Sequence, residues 1–145
     1  MPSQISARGL KLIKDYEGFS ATIYDDAAGY PTIGFGHLIK AGESFIEPMS
    51  RQEASVLLLQ DVVYAERAVR RLIPITLTTG QYDALVSFTF NLGSGALQSS
   101  TLRRRLLQGS LDAAAREFPR WVYAGGRKLR GLMRRRLSEQ SLFLS

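Results

Sequence analysis

The chain has 145 residues, of which 45% are hydrophobic, and it carries a net charge of +6 and no cysteine. This length suits one domain, and the hydrophobic content excludes a largely disordered chain. Without cysteine, neither disulfides nor a cysteine-ligated zinc site can support the fold, and a single histidine argues against a histidine-rich metal site. We therefore expect a globular protein without a bound metal.

The basic charge is concentrated in the C-terminal third. Residues 1–50 contain four Lys/Arg and six Asp/Glu, a net charge of −2, whereas residues 101–145 contain eleven Lys/Arg and three Asp/Glu, a net charge of +8. A basic region indicates a polyanionic partner, which is nucleic acid, acidic lipid, or a cell wall bearing carboxylates and phosphates. Charge alone leaves all three open.

The first residues predict a short amphipathic helix. Leu10 and Ile13 stand at helical spacing within residues 6–17, and Gly18 ends the pattern directly after Glu17. Charged residues interrupt every hydrophobic stretch here, so none is long enough for a signal peptide or a membrane span. We therefore expect accumulation in the cytoplasm and no membrane insertion.

The remaining elements predict an α+β protein. Glycine and proline punctuation over residues 18–48 is typical of strands and turns, and predicts a small β-containing lobe. Ser50 followed by Glu53 forms a helix-capping signal, and the apolar pattern after it predicts a long helix over residues 50–72. Residues 73–145 then alternate helical patterns with glycine breaks, which predicts a larger helical lobe joined to the small one by this helix.

The segment TIGFGHLI predicts one β-strand. In a strand, successive side chains point to opposite faces. One face would carry Thr32, Gly34, Gly36 and Leu38, and the other Ile33, Phe35, His37 and Ile39. The first face has little bulk, so a ligand could approach the backbone there.

Three side chains point to a catalytic group. Glu17 ends a predicted helix, Asp26 lies in a glycine-containing turn, and Thr32 opens the predicted strand. Two carboxylates in different surroundings suit glycosidic bond cleavage, because one must stay protonated while the other stays ionised. The alternative is a solvated surface glutamate and a turn aspartate that satisfies its own backbone.

The spacing E-x8-D-x5-T resembles that of phage-type lysozymes, the endolysins that cut peptidoglycan. Three further segments are similar to family signatures and occur in the same order: TIGFGH, ALVSFTFNLG at 84–93, and GLMRRRLSEQSLF at 131–143. The resemblance implies a single lysozyme domain over residues 1–145, with a cleft between the two lobes and the helix at 6–17 packed on the helical lobe.

The resemblance also implies catalytic roles. Glu17 would be the general acid, Asp26 would stay ionised and activate water, and Thr32 would position that water, in an inverting cleavage of the bond between N-acetylmuramic acid and N-acetylglucosamine without a cofactor. Asp25 competes with Asp26 for the second role, and the family spacing selects Asp26. The implied substrate contacts are Leu38, Phe90, Asn91 and Thr101.

His37 and the C-terminal arginines are predicted to have supporting roles. Strand alternation places His37 opposite Thr32, which favours a structural histidine, and the resemblance implies that Asp61 is its partner. The arginines at 134–136 are most simply a solvated basic face, since three successive residues sweep around a helix. In the resembled family one such arginine pairs with the catalytic glutamate; Arg135 is the preferred candidate, with Arg134 and Arg136 as alternatives.

The resemblance implies that the partner is a peptidoglycan glycan strand and not nucleic acid. The protein would act as a monomer in the periplasm or cell wall, after release by a separate pore-forming protein. Three rival functions remain: a nucleic-acid-binding protein using the basic region, a wall-binding module without catalysis, and a lytic transglycosylase, which depends mainly on one glutamate and yields anhydro ends.

Overall fold

The computed structural model describes residues 2–145, and these form two compact units. The smaller unit is Lys14–Val63. The larger unit combines the described residues up to Ile13 with Tyr64–Ser145. In the described part of the chain, no helix has the length and apolar composition needed to cross a bilayer.

The smaller unit contains a three-stranded antiparallel sheet between two helices along the chain. Its elements are the end of α1 (Ala7–Glu17), β1 (Ser20–Asp25), β2 (Pro31–Gly34), β3 (His37–Leu38) and α2 (Arg51–Asp61), with the strands in the order β1-β2-β3. Ser50 caps α2, because its hydroxyl oxygen accepts a 3.0 Å hydrogen bond from the backbone N–H of Glu53.

The prediction of a single strand over residues 32–39 is wrong, because the segment is a hairpin. Gly34 and Gly36 adopt positive φ angles of 68° and 78°, and the chain reverses between β2 and β3. Thr32 lies opposite Leu38, and Ile33 lies opposite His37. Facing residues share one side of a sheet, so the predicted separation of Thr32 from His37 is confirmed. The side chains still alternate between the two faces across the turn, because the two residues of each facing pair are an even number of positions apart in the sequence.

The residues predicted as one helix, 50–72, form two consecutive helices, α2 and α3 (Val63–Leu72). Val62 separates them and adopts a helical backbone, with φ −74° and ψ −13°. Because this position carries neither glycine nor proline, no break was predicted there.

The larger unit is mainly helical. After α3 it contains α4 (Thr79–Leu92), α5 (Ser94–Ser99), α6 (Thr101–Leu107), α7 (Leu111–Ala115), β4 (Tyr123–Ala124), β5 (Arg127–Lys128) and α8 (Arg130–Phe143). The core includes Phe88 on α4, which is fully buried and meets Phe118 and Trp121 edge-on at ring-centroid distances of 5.8 and 5.4 Å.

The short hairpin β4–β5 was not predicted, since residues 78 onward were interpreted as helices with breaks. Gly125 and Gly126 supply positive φ angles of 58° and 76°, which a two-residue type I′ hairpin turn requires at both central positions. The Gly-Gly pair was visible in the sequence but was interpreted only as a helix break.

The start of the chain is bonded to the helical unit. The backbone N–H and the hydroxyl of Ser6 both donate to the carboxylate of Asp83 on α4, and the N–H of Ile5 donates to Glu66 at 2.7 Å. A Cβ on Gly9 would lie 2.7 Å from a carboxylate carbon of Asp83, so glycine permits this close approach. These bonds attach the residues at the start of α1 to the helical unit.

Candidate active site

Glu17 is the last residue of α1 and is half-buried. Gly18 follows in the left-handed conformation, with φ 75°, as is common directly after a helix. A Cβ on Gly36 would lie only 2.7 Å from Oε1 of Glu17. The carboxylate therefore approaches the β2–β3 turn through space that a larger residue at position 36 would fill.

Asp26 lies in the turn after β1 and is half-buried. Its Oδ1 accepts two backbone hydrogen bonds of 2.9 Å, from the N–H groups of Ala28 and Tyr30. An aspartate that bonds to the backbone two residues on in this way forms an Asx-type turn. Its neighbour Asp25 is exposed and lies opposite Pro31 at the end of the sheet.

Thr32 is buried in β2, with an exposed fraction of 2%. Its hydroxyl donates a 2.9 Å hydrogen bond to the carbonyl oxygen of Tyr30. Asp26 and Thr32 are thus both bonded to the backbone of Tyr30. Leu38, the predicted substrate contact, faces Thr32 across the hairpin and is half exposed.

His37 is buried and bonds to two carboxylates. Its Nδ1 lies 2.8 Å from Oδ2 of Asp61, and its Nε2 lies 3.0 Å from Oε1 of Glu43. Glu43 was not predicted, because only the turn at Gly42, with φ 86°, brings it back to β3. The ring is enclosed by its own partners and by Phe45, which it meets edge-on at 5.6 Å.

The pKa values of the two carboxyl groups that bond to His37 are shifted in opposite directions. The pKa of Glu43 is lowered, chiefly because the backbone N–H of Lys40 donates to it and then because of its hydrogen bond with His37. The pKa of Asp61 is raised, because its burial outweighs the hydrogen bond from His37.

We expect Glu43→Gln to lower the free energy of unfolding at pH 6, and we expect this loss to shrink as the pH falls below the ordinary pKa of glutamate and through the lowered pKa of Glu43. A carboxyl with a lowered pKa in the folded state stabilises the fold above its unfolded pKa, and this stabilisation is lost as the pH falls through the folded value. Urea unfolding of both proteins from pH 3 to pH 7 measures the difference. Glu53→Gln, at an exposed helix cap, is the control. A difference between wild type and Glu43→Gln that is the same at every pH would contradict the assignment.

The other predicted contacts belong to the helical unit. Phe90 and Asn91 lie half-buried near the end of α4, and Thr101 is the first residue of α6. The amide oxygen of Asn91 accepts a 2.6 Å hydrogen bond from Nη2 of Arg136, and the hydroxyl of Thr101 accepts one of 2.7 Å from Nη2 of Arg104. Both side chains are therefore oriented by arginines.

The prediction of a solvated arginine face at 134–136 is wrong for two of the three residues. Arg135 and Arg136 are buried with Glu139, whereas Arg134 is exposed. Nε of Arg136 lies 2.9 Å from Oε1 of Glu139, and Nε of Arg135 lies 3.4 Å from Oε2. The hydroxyl of Ser87 on α4 donates to the same carboxylate at 2.5 Å.

Burial raises the pKa of Glu139 and lowers that of Arg136, while the attraction between the two side chains opposes both shifts. The helical spacing of three and four residues from the arginines to Glu139 was a signal for this cluster in the sequence. Arg135 is the predicted partner of Glu17. Its Nη2 also donates a hydrogen bond of 3.4 Å to the carbonyl oxygen of Ser87.

Comparison with known proteins decides the family. The phage lysozyme family profile matches residues 14–139, which include all three predicted catalytic residues. The chain belongs to the phage lysozyme family. It is 40% identical to the endolysin of Bacillus phage B103 over 97% of its length, and 39% identical to the endolysin of Salmonella phage P22 over 98%.

The relatives of this phage lysozyme family member differ in length. The chain spans about half the length of the Bacillus phage relatives that it matches, 54% for B103, and 99% of the P22 endolysin. The muramidase domain of SpmX from Asticaccaulis excentricus is similar in structure, with a TM-score of 0.88 and 35% identity over 99% of both chains. This likeness confirms the predicted α+β, lysozyme-like fold class.

Proposed function

We propose that the chain is an endolysin-type lysozyme that hydrolyses the β-1,4 bond between N-acetylmuramic acid and N-acetylglucosamine and thereby lyses bacteria. One observation carries the proposal: Asp26 and Thr32 are both bonded to the backbone of Tyr30, in the unit that also contains Glu17. Relatives named endolysin and muramidase support it.

Glu17 is the proposed general acid and donates its proton to the leaving glycosidic oxygen. Because Gly36 has no side chain, the Glu17 carboxyl lies against the β2–β3 turn, beside the strand that carries Thr32. The role of Arg135 as a partner that holds Glu17 is a proposal that rests on the family resemblance.

Asp26 and Thr32 are proposed to hold the attacking water. Oδ1 of Asp26 already accepts two N–H groups, so Oδ2 is the oxygen left to accept a proton from water. The Thr32 hydroxyl donates its only proton to the carbonyl oxygen of Tyr30. The hydroxyl oxygen of Thr32 can therefore act only as an acceptor for the same water. A water that donates both hydrogens presents its own lone pair, which is the nucleophile.

The family resemblance implies an inverting reaction, which needs space for water between the two carboxyls, a separation of roughly 6.5–9.5 Å. Leu38 is proposed to contact a saccharide unit, since it is exposed beside Thr32 on one face of the hairpin. Phe90, Asn91 and Thr101 are proposed substrate contacts on the helical unit.

The substrate is proposed to be the peptidoglycan glycan strand, cut by a monomer without a cofactor or a nucleic-acid partner. The basic charge of the chain should draw it to anionic envelopes, and this attraction should weaken as salt is added. Cytoplasmic accumulation and release through a separate pore-forming protein stay predictions from the sequence.

Digestion of purified peptidoglycan tests the proposed function. We expect new reducing ends on N-acetylmuramic acid, released first as the inverted anomer. Anhydro ends would instead identify a transglycosylase. Absence of fragments together with steeply salt-dependent binding to duplex DNA would favour the nucleic-acid alternative. Retention on the wall without any fragments would indicate a binding module.

A further inference from the structure

The backbone of Tyr30 makes three hydrogen bonds in the turn that follows β1. Its N–H donates to Oδ1 of Asp26 at 2.9 Å, and its carbonyl oxygen accepts from the N–H of Asp26 at 2.8 Å. The same carbonyl accepts from the hydroxyl of Thr32 at 2.9 Å. One residue of the backbone therefore fixes the orientation of both side chains assigned to the water.

Gly29 allows the chain to make this turn. Its φ angle is +87°, a conformation that L-residues with a side chain rarely adopt, and its N–H donates to the carbonyl oxygen of Asp26 at 2.9 Å. No atom lies within 4 Å of where its Cβ would be. The requirement for glycine is thus conformational and not one of space.

We propose that the turn Asp26–Tyr30 is a positioning element for the attacking water, and that Gly29 and the Tyr30 backbone are positioning residues for the reaction. The proposal rests on the proposed function. The turn occupies one oxygen of Asp26 and the only proton of Thr32, so both groups face the water as acceptors alone. Moving the Tyr30 peptide would release the Thr32 hydroxyl and misorient Asp26 together.

The chain offers a matched control in the same unit. Gly42 has a φ angle of +86°, and a Cβ there also has no atom within 4 Å. Gly29→Ala and Gly42→Ala should therefore introduce similar backbone strain and similar losses of stability. Of these two glycines, only Gly29 lies in the turn whose backbone forms hydrogen bonds with the side chains of Asp26 and Thr32.

Steady-state kinetics on soluble peptidoglycan fragments tests the proposal, with thermal unfolding measured in parallel. We expect Gly29→Ala to lower kcat by about a hundredfold while KM stays within about twofold of wild type. Gly42→Ala should lose a similar amount of thermal stability and keep the wild-type kcat. Gly29→Asn should recover much of the activity, because asparagine tolerates the left-handed region.

Three results would overturn the positioning role: a wild-type kcat for folded Gly29→Ala, an equal loss of kcat in Gly42→Ala, or a rise in KM with kcat unchanged. If Gly29→Ala does not fold, Gly29→Asn carries a milder form of the test: a kcat below that of Gly42→Asn supports the positioning role, and equal kcat values in these two variants would overturn it. A wild-type protein that releases no reducing ends would refute the proposed function itself. An active wild type with a fully active Gly29→Ala would refute only this inference.

Discussion

We expect the replacement of Glu17 by glutamine to lower the rate of peptidoglycan cleavage by about three orders of magnitude, and Asp26→Asn to have an effect of similar size, with both variants still folded. Glutamine cannot protonate the leaving oxygen, and asparagine cannot accept a proton from water. Both side chains are half-buried, and an amide of nearly the same size replaces each carboxyl. Release of reducing ends from purified walls, measured at equal concentrations of folded protein, gives the comparison.

Asp25→Asn is the matched control for Asp26→Asn. It makes the same chemical change one residue away, at an exposed carboxylate, whereas Asp26 accepts the N–H groups of Ala28 and Tyr30. We expect Asp25→Asn to keep nearly all of the activity. An inactive Asp25→Asn beside an active Asp26→Asn would move the role of base to Asp25. Near-normal activity of folded Glu17→Gln would remove its role as the acid.

The second large effect is on stability. We expect Glu139→Gln to lower the free energy of unfolding by about 3–5 kcal/mol, because it removes the charge that faces the buried guanidinium of Arg136 and also lies beside Arg135. Glutamine keeps the size of the side chain and can still accept from the hydroxyl of Ser87, so the change is mainly one of charge. Urea unfolding at pH 7, followed by circular dichroism, measures it.

Arg134→Gln is the control for this cluster, since Arg134 is exposed on the same helix. A surface substitution of this kind changes the free energy of unfolding by about 0.5 kcal/mol or less. Arg136→Met should be destabilising but less so than Glu139→Gln, because Arg135 remains beside Glu139. If Glu139→Gln were as stable as Arg134→Gln, the cluster would not contribute to folding as described.

Local signals predict the correct end of α1. Glu17 is followed by Gly18, and a glycine in the left-handed conformation directly after a helix is a property of a few neighbouring residues. The Ser50 cap of α2 is local in the same way. By contrast, the alternation within residues 32–39 predicts one strand where the structure has a hairpin, because the alternation continues through the turn.

Residues that meet across long separations in sequence were harder to predict. Ser87 bonds to Glu139 although 52 residues separate them, and Ile5 bonds to Glu66 across 61 residues. No periodicity links such positions, since each helix follows its own repeat. The arginines of α8 are predicted to be solvated because three successive residues sweep around a helix, although their spacing from Glu139 is visible in the sequence.

The sequence by itself determined the family, through the motifs of the phage lysozymes, and it supplied the proposed catalytic group of two acids and a hydroxyl at a helix end, a turn and a strand. Only the tertiary structure decided how these groups are held. Oδ1 of Asp26 and the proton of Thr32 are taken up by the backbone, and Gly36 gives Glu17 its space. The reason is physical, because residue types fix which bonds can form, whereas the path of the folded backbone selects those that do.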